Sequence, residues 1–77
     1  MRIRVEVRGS QRDYLSSDEP ILDLELPPGA CVGDAVRMLG IPIERSWNAA
    51  IRSRLVSDRD PLADGDHLVI FDVIGGG

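Results

Sequence analysis

The apolar residues of this chain change period in mid-sequence, and that change limits what it can fold into. Val32, Ala35, Val36 and Leu39 fall at i, i+3, i+4 and i+7, one face of a helix of about two to three turns. On the N-terminal side the period is two. Ile3, Val5 and Val7 alternate with Arg4, Glu6 and Arg8, and Leu22, Leu24 and Leu26 alternate with Asp23 and Glu25, as half-buried strands require. The breaks between these segments carry their own signals. Gly9 closes the first strand, Ser10 to Pro20 reads as a loop with only Tyr14 and Leu15 apolar, and Pro27-Pro28-Gly29 stops the second strand with a turn. Asp34 sits in the first helical turn, where the helix dipole favours an anion, and Gly40 follows Leu39 as a left-handed cap with Pro42 beyond.

After the helix the signals shorten. Trp47 to Ile51 and Leu55-Val56 read as short strands around a polar turn at Arg52-Ser53-Arg54, and Trp47 is expected in the core or at a sheet edge. Asp58 to Asp66 is rich in Asp, Pro and Gly and reads as a solvated loop. Within it Asp64 is expected to hold the Asp64-Gly65-Asp66 turn by bonding its own backbone, ahead of a closing strand from His67 to Phe71. The order is two strands, a helix and three strands. A helix with one apolar stripe must bury it on one face of the sheet, which gives a two-layer α+β domain. With the first and last strands adjacent and parallel in the middle, this is a β-grasp, or ubiquitin-like, fold: a mixed four- to five-stranded sheet packed on one short helix. No internal repeat competes, so residues 1–77 are expected to form a single domain.

Composition narrows the function. A chain of 77 residues buries only roughly 60% of the surface it exposes when unfolded, so a deep, self-contained active site is not expected. The net charge is −4 and the basic residues are scattered, which argues against a nucleic-acid or anionic-membrane surface and favours a basic protein partner. All nine positive charges are arginine; there is no lysine. Cys31 is the only cysteine, so no internal disulfide forms and no oxidising compartment is needed. Met1 to Glu6 lacks the continuous apolar core of a signal peptide, and no apolar run reaches membrane-spanning length. A cytoplasmic location is the expectation.

The sequence ends on Gly75-Gly76-Gly77. With average glycine usage of about 7%, three in succession at one chosen place are expected roughly a few times in ten thousand. Glycine has no Cβ and makes a slim strand, so such a tail, flexible from about residue 72 to 77, can thread a narrow tunnel and present its carboxylate to another protein. The alternative is an incidental frayed end.

Taken together these residues resemble the MoaD/ThiS sulfur carriers, small ubiquitin-like proteins ending in Gly-Gly. The resemblance is carried by Leu26-Pro27-Pro28-Gly29-Ala30 leading into Val32-Gly33-Asp34-Ala35-Val36, and by Leu39-Gly40-Ile41-Pro42. Its most specific block is Leu62-Ala63-Asp64-Gly65-Asp66-His67-Leu68-Val69-Ile70-Phe71 before the terminal glycines. The chain departs from the family pattern at Arg52-Ser53, where Asn-Gly is common, and at Asp72-Val73, where a Pro-Pro pair often follows the Phe. The resemblance implies that an ATP-dependent adenylyltransferase, using ATP and magnesium, joins the Gly77 carboxylate to AMP. A sulfur donor then converts it to a thiocarboxylate for a sulfur-accepting synthase. On that reading the protein is a cosubstrate or a small synthase subunit, not an enzyme, binds no cofactor itself, and is a monomer when free. Gly75 and Gly76 supply reach. The product is molybdopterin-type cofactor, thiamine thiazole or another sulfur compound. Two alternatives stand beside it: a ubiquitin-like modifier joined through Gly77 to lysines on other proteins, and a plain β-grasp interaction module.

Alternation supplies a docking surface. With Leu68 and Ile70 facing the helix, His67, Val69 and Phe71 lie on the opposite face beside the exit of the tail, where an aromatic anchor suits an interface. Val69 and Phe71 are therefore expected partner contacts, with Ile74 packing in the partner's groove or on its own domain. A short apolar run does not fix its own register, so Phe71 in the core is the alternative. Cys31 is expected to be a buried structural residue at the helix start, although a helix N-terminus can lower a thiol pKa. His67 is the only histidine and has no metal-ligand spacing around it, and the Asp58 to Asp66 series lacks the order of a calcium loop, so no metal site is expected.

Overall fold

A computed structural model describes residues 1–9, 21–42 and 47–71. Five strands and one helix follow the expected order: β1 (Arg2–Val7), β2 (Ile21–Glu25), α1 (Val32–Met38), β3 (Asn48–Ile51), β4 (Arg54–Val56) and β5 (His67–Phe71). They form one mixed sheet in the order β2-β1-β5-β3-β4, with β1 and β5 parallel and every other neighbouring pair antiparallel. This is the β-grasp arrangement. The expected loop at 10–20 and the expected tail at 72–77 lie outside the described residues.

The core is what the periods require. Ile3, Val5 and Val7 of β1, Leu68 and Ile70 of β5, and Ala49 and Ile51 of β3 pack with Val32, Ala35, Val36 and Leu39, all buried in one cluster. Leu22, Leu24, Trp47 and Val56 pack against its edge half-buried. Each fully buried aliphatic side chain contributes about 1.5–3 kcal/mol, so this one layer is the main favourable term in folding.

Helix α1 is short and therefore depends on its ends. At the C-terminus Gly40, at φ 84°, donates to the Arg37 carbonyl at 3.0 Å, and the Ile41 amide donates to the Val36 carbonyl at 3.2 Å. That pair of bonds is the Schellman arrangement, closed by burial of both Val36 and Ile41. At the N-terminus Cys31 is the cap residue. Its amide donates to Asp34 Oδ2 at 2.9 Å and its thiol to the same oxygen at 3.4 Å. The thiol is half-exposed rather than buried, because the cap position lies at the rim of the core.

The segment after β4 is not simply solvated. The helix amides of Val32 and Gly33 donate to the carbonyls of Asp60 (2.9 Å) and Asp58 (2.7 Å), and Leu62 donates to the Ala30 carbonyl at 3.0 Å. Free N–H groups of a first helical turn need acceptors, and this loop supplies them from its backbone. A second expectation is corrected in the turn before β5. Asp66 Oδ2 accepts from the Ala63 amide at 2.8 Å and holds the turn, whereas Asp64 Oδ1 accepts from the Arg2 amide at 2.8 Å and ties the turn to the start of β1.

Candidate functional site: the open sheet face

The helix covers one face of the sheet and leaves the other open. Strand β5 shows which is which: Leu68 and Ile70 are fully buried, while His67 is exposed and Val69 and Phe71 are half-buried. The register left open by the sequence is therefore the one with Phe71 on the open face. The cause is long-range. Parallel pairing sets Val5 beside Leu68 and Val7 beside Ile70, and the inward residues of β1 carry those of β5 with them.

Registers across all five strands place Ile21, Glu6, Val69, Ala50 and Leu55 in one outward row. Phe71 lies one row further along, opposite Asn48. The row divides by chemistry. On the β2–β1 side, apart from the exposed Ile21 at the start of β2, the face is charged and paired with itself: Arg2 with Glu25 at 2.7 Å, Arg4 with Asp23 at 3.4 Å, and Glu6 with Arg8 and, at 3.6 Å, with His67 Nε2. Such exposed pairs contribute little to stability. On the β5–β3–β4 side the face is apolar, made by Val69, Phe71, Ala50 and Leu55, and Leu55 is 71% exposed. Sequence reasoning named Val69 and Phe71 but missed Ala50 and Leu55. The signal was the hairpin register, since a two-residue turn at Arg52-Ser53 sets Leu55 directly opposite Ala50.

That turn has an unusual cost. Arg52 and Ser53 both have positive φ, 53° and 65°, the left-handed pair that a tight hairpin demands and that Asn-Gly adopts with less strain. A groove of about 510 Å³ beneath it, lined by Ile51, Arg52, Arg54, Asp60 and Asp66 among others, includes neither Val69 nor Phe71. Strand β5 ends at Phe71, on the apolar half of the open face. Ile74, Gly75, Gly76 and Gly77 lie outside the described residues. Among the described residues no cluster of three or more His, Cys, Asp or Glu could hold a metal ion, and no helix is long and apolar enough to cross a membrane.

The β-grasp sheet with one helix defines a ubiquitin-like domain, and sequence comparison gives its family. Residues 5–77 match the ThiS family model, and the chain belongs to the ThiS family. No curated protein matches it by sequence. Solved structures share the fold. A putative molybdopterin converting factor subunit 1 from Pyrococcus furiosus superposes with a TM-score of 0.75 at 23% identity, covering 95% of this chain and 98% of that one. Small archaeal modifier protein 1 of H. volcanii also gives a TM-score of 0.75, at 16% identity and with 95% and 98% covered. One chain of the complex of subunits 1 and 2 of molybdopterin-converting factor from Helicobacter pylori gives 0.65 at 18% identity, covering 100% of this chain and 100% of that one.

Proposed function

We propose that the protein is a sulfur carrier whose Gly77 carboxylate is activated by a separate ATP-dependent adenylyltransferase and converted to a thiocarboxylate. The observation that carries this reading is the family match, which runs through the folded domain and on to Gly77. The chemistry follows from the carboxylate. At neutral pH it is a poor electrophile, so its oxygen must first attack the α-phosphorus of ATP, releasing pyrophosphate and giving an acyl-adenylate. A persulfide then attacks the carbonyl carbon and AMP leaves; cleavage of the resulting S–S bond by a thiol frees the thiocarboxylate. ATP and magnesium belong to the partner, and the protein is a cosubstrate with no bound cofactor. Glycine at the end leaves the carbonyl carbon uncrowded by a side chain.

The open face supplies the docking surface. Val69 and Phe71, joined by Ala50 and Leu55, contact the activating enzyme and then the synthase, with Ile74 in the partner's groove and Gly75 and Gly76 spanning to the active site. Removal of Gly76 and Gly77 together, or replacement of Gly76 by Leu, should abolish pyrophosphate release from ATP in the presence of the activating enzyme while thermal unfolding stays unchanged. Full activity in both variants would overturn the reading.

A second reading, a modifier joined through Gly77 to lysines of other proteins, is favoured by the likeness to the small archaeal modifier protein. It shares the activation step and differs in the acceptor. Adducts on other proteins after activation without a sulfur donor would select it.

A further inference from the structure

We infer that the outer edge of β4 receives an extended segment of the activating enzyme in which acidic and apolar residues alternate, a docking mode that rests on the activation proposed above. The segment pairs with the main chain of Leu55 and sets its carboxylates against Arg52 and Arg54. In the sheet order β4 is an outer strand, paired on one side with β3. Ile51 and Arg54 close the two-residue hairpin and so exchange ladder bonds with each other. Antiparallel alternation then turns the N–H and C=O of Leu55 away from β3, and no other described residue bonds them. The next outward position is already closed. The Ser57 amide donates to Asp60 Oδ2 at 2.7 Å, and the Ser57 carbonyl accepts from the Asp60 amide at 3.1 Å. Within β4 the open main-chain groups therefore belong to Leu55, whose side chain is exposed as well.

Charge decides what can lie along that edge. Arg2, Arg4, Arg8 and Arg37 each form an ion pair with a carboxylate, whereas Arg52, Arg54 and Arg59 have no such partner among the described residues. The net charge of −4 favours a basic partner overall, yet at this hairpin the uncompensated charge is positive. Arg54 is the register partner of the buried Ile51, and with Arg52 it lines the groove beneath the hairpin, on the face of β4 opposite to Leu55. The carboxylates across the groove are engaged elsewhere: Asp60 with Ser57, and Asp66 Oδ2 with the Ala63 amide at 2.8 Å. An added strand presents alternate side chains to the two faces. Every second residue would meet Leu55 and those between would meet the guanidinium groups, so the fitting segment is apolar on one face and acidic on the other.

The hairpin tip adds a separate observation. Arg52 is held at φ 53°, a conformation that Asn would adopt with less strain, and strain kept at an exposed position points to a task for the side chain. Charged residues also guard strand edges against unwanted pairing, but either sign of charge does that. Attraction of an acidic strand requires a cation.

The test measures pyrophosphate release by the activating enzyme with wild type, with Arg52→Glu plus Arg54→Glu, and with Arg52→Asn plus Ser53→Gly. Hydrogen exchange of the Leu55 amide is followed in the free chain and in the complex. Charge reversal is expected to raise KM for the carrier about tenfold, leave kcat within about twofold, and flatten the rise of KM with salt that the wild type shows. The Asn-Gly hairpin, although less strained, should still raise KM roughly threefold through loss of one cation, which a folding defect would not explain. The Leu55 amide should exchange about tenfold more slowly in the complex, as a newly paired strand edge requires. Unchanged KM on charge reversal overturns the inference and leaves the arginines as edge guards. An unprotected Leu55 amide in a saturated complex overturns it too, and so does a wild-type chain that self-associates with Leu55 protected, which would give the edge to a second copy. No pyrophosphate from the wild type overturns the proposed function and this inference with it, whereas release that ignores both arginine variants overturns the docking mode alone.

Discussion

At Gly33 a local rule yields to a contact made elsewhere. Gly33 lies inside the helix, where Ala would ordinarily gain ~1 kcal/mol. Here an added Cβ would stand 3.0 Å from the Asp58 carbonyl oxygen and 3.3 Å from Asp58 Cβ. Overpacking against backbone costs about 1–3 kcal/mol, so Gly33→Ala should lower stability by about 1 kcal/mol in urea unfolding. A gain would show that the loop yields. The opposite sign is expected at the hairpin: Arg52→Asn with Ser53→Gly relieves two left-handed residues and should raise stability by about 1 kcal/mol. Asp34 adds a pH dependence. The Cys31 amide, then the Cys31 thiol, then Arg37 hold its carboxyl below its ordinary 3.8. A depressed carboxyl stabilises the fold above the unfolded value, and this contribution is lost as pH falls below 3.8 through the folded value. Asp34→Asn should flatten that part of the stability–pH curve; an unchanged curve would remove Asp34 from the cap. The helix cap was legible because Asp34 and Gly40 are local signals, whereas the roles of Asp64 and Asp66 were not, since the partner of Asp64 is Arg2, across the fold.

At the scale of elements, strand β5 decides which apolar residues lie on the open face. Its five residues are almost all apolar, so its own sequence left two registers open, and parallel pairing with β1 chose between them. Strands β3 and β4 were the shortest, and their contribution of Ala50 and Leu55 to the open face depends on a two-residue turn that the sequence showed only as polar. The apolar half of the face should carry the binding energy. Phe71→Ala is expected to weaken binding to the activating enzyme by about 2 kcal/mol, roughly thirtyfold in Kd, by titration calorimetry. Leu55→Asp, at an exposed position on an edge strand, should weaken binding similarly while leaving the unfolding free energy within about 0.5 kcal/mol of wild type. Unchanged affinity in both variants would move the docking surface elsewhere.

For the whole molecule, order and periodicity were enough to anticipate a two-layer α+β domain, because a single helical stripe between alternating strands has few ways to become buried. The pairing of β1 with β5 joins residues some sixty positions apart and is written in no local motif; resemblance and burial supplied it. Under the proposed function the folded domain and the glycine end divide the work, one docking and the other reacting at a single carbon. Intact mass measured after incubation with the activating enzyme, ATP and a sulfur donor tests that division most directly. The account predicts a species heavier by the exchange of one oxygen for sulfur, with fragmentation placing the sulfur on Gly77. An unchanged mass while the enzyme consumes ATP on this chain, or sulfur found on Cys31 instead, would contradict it.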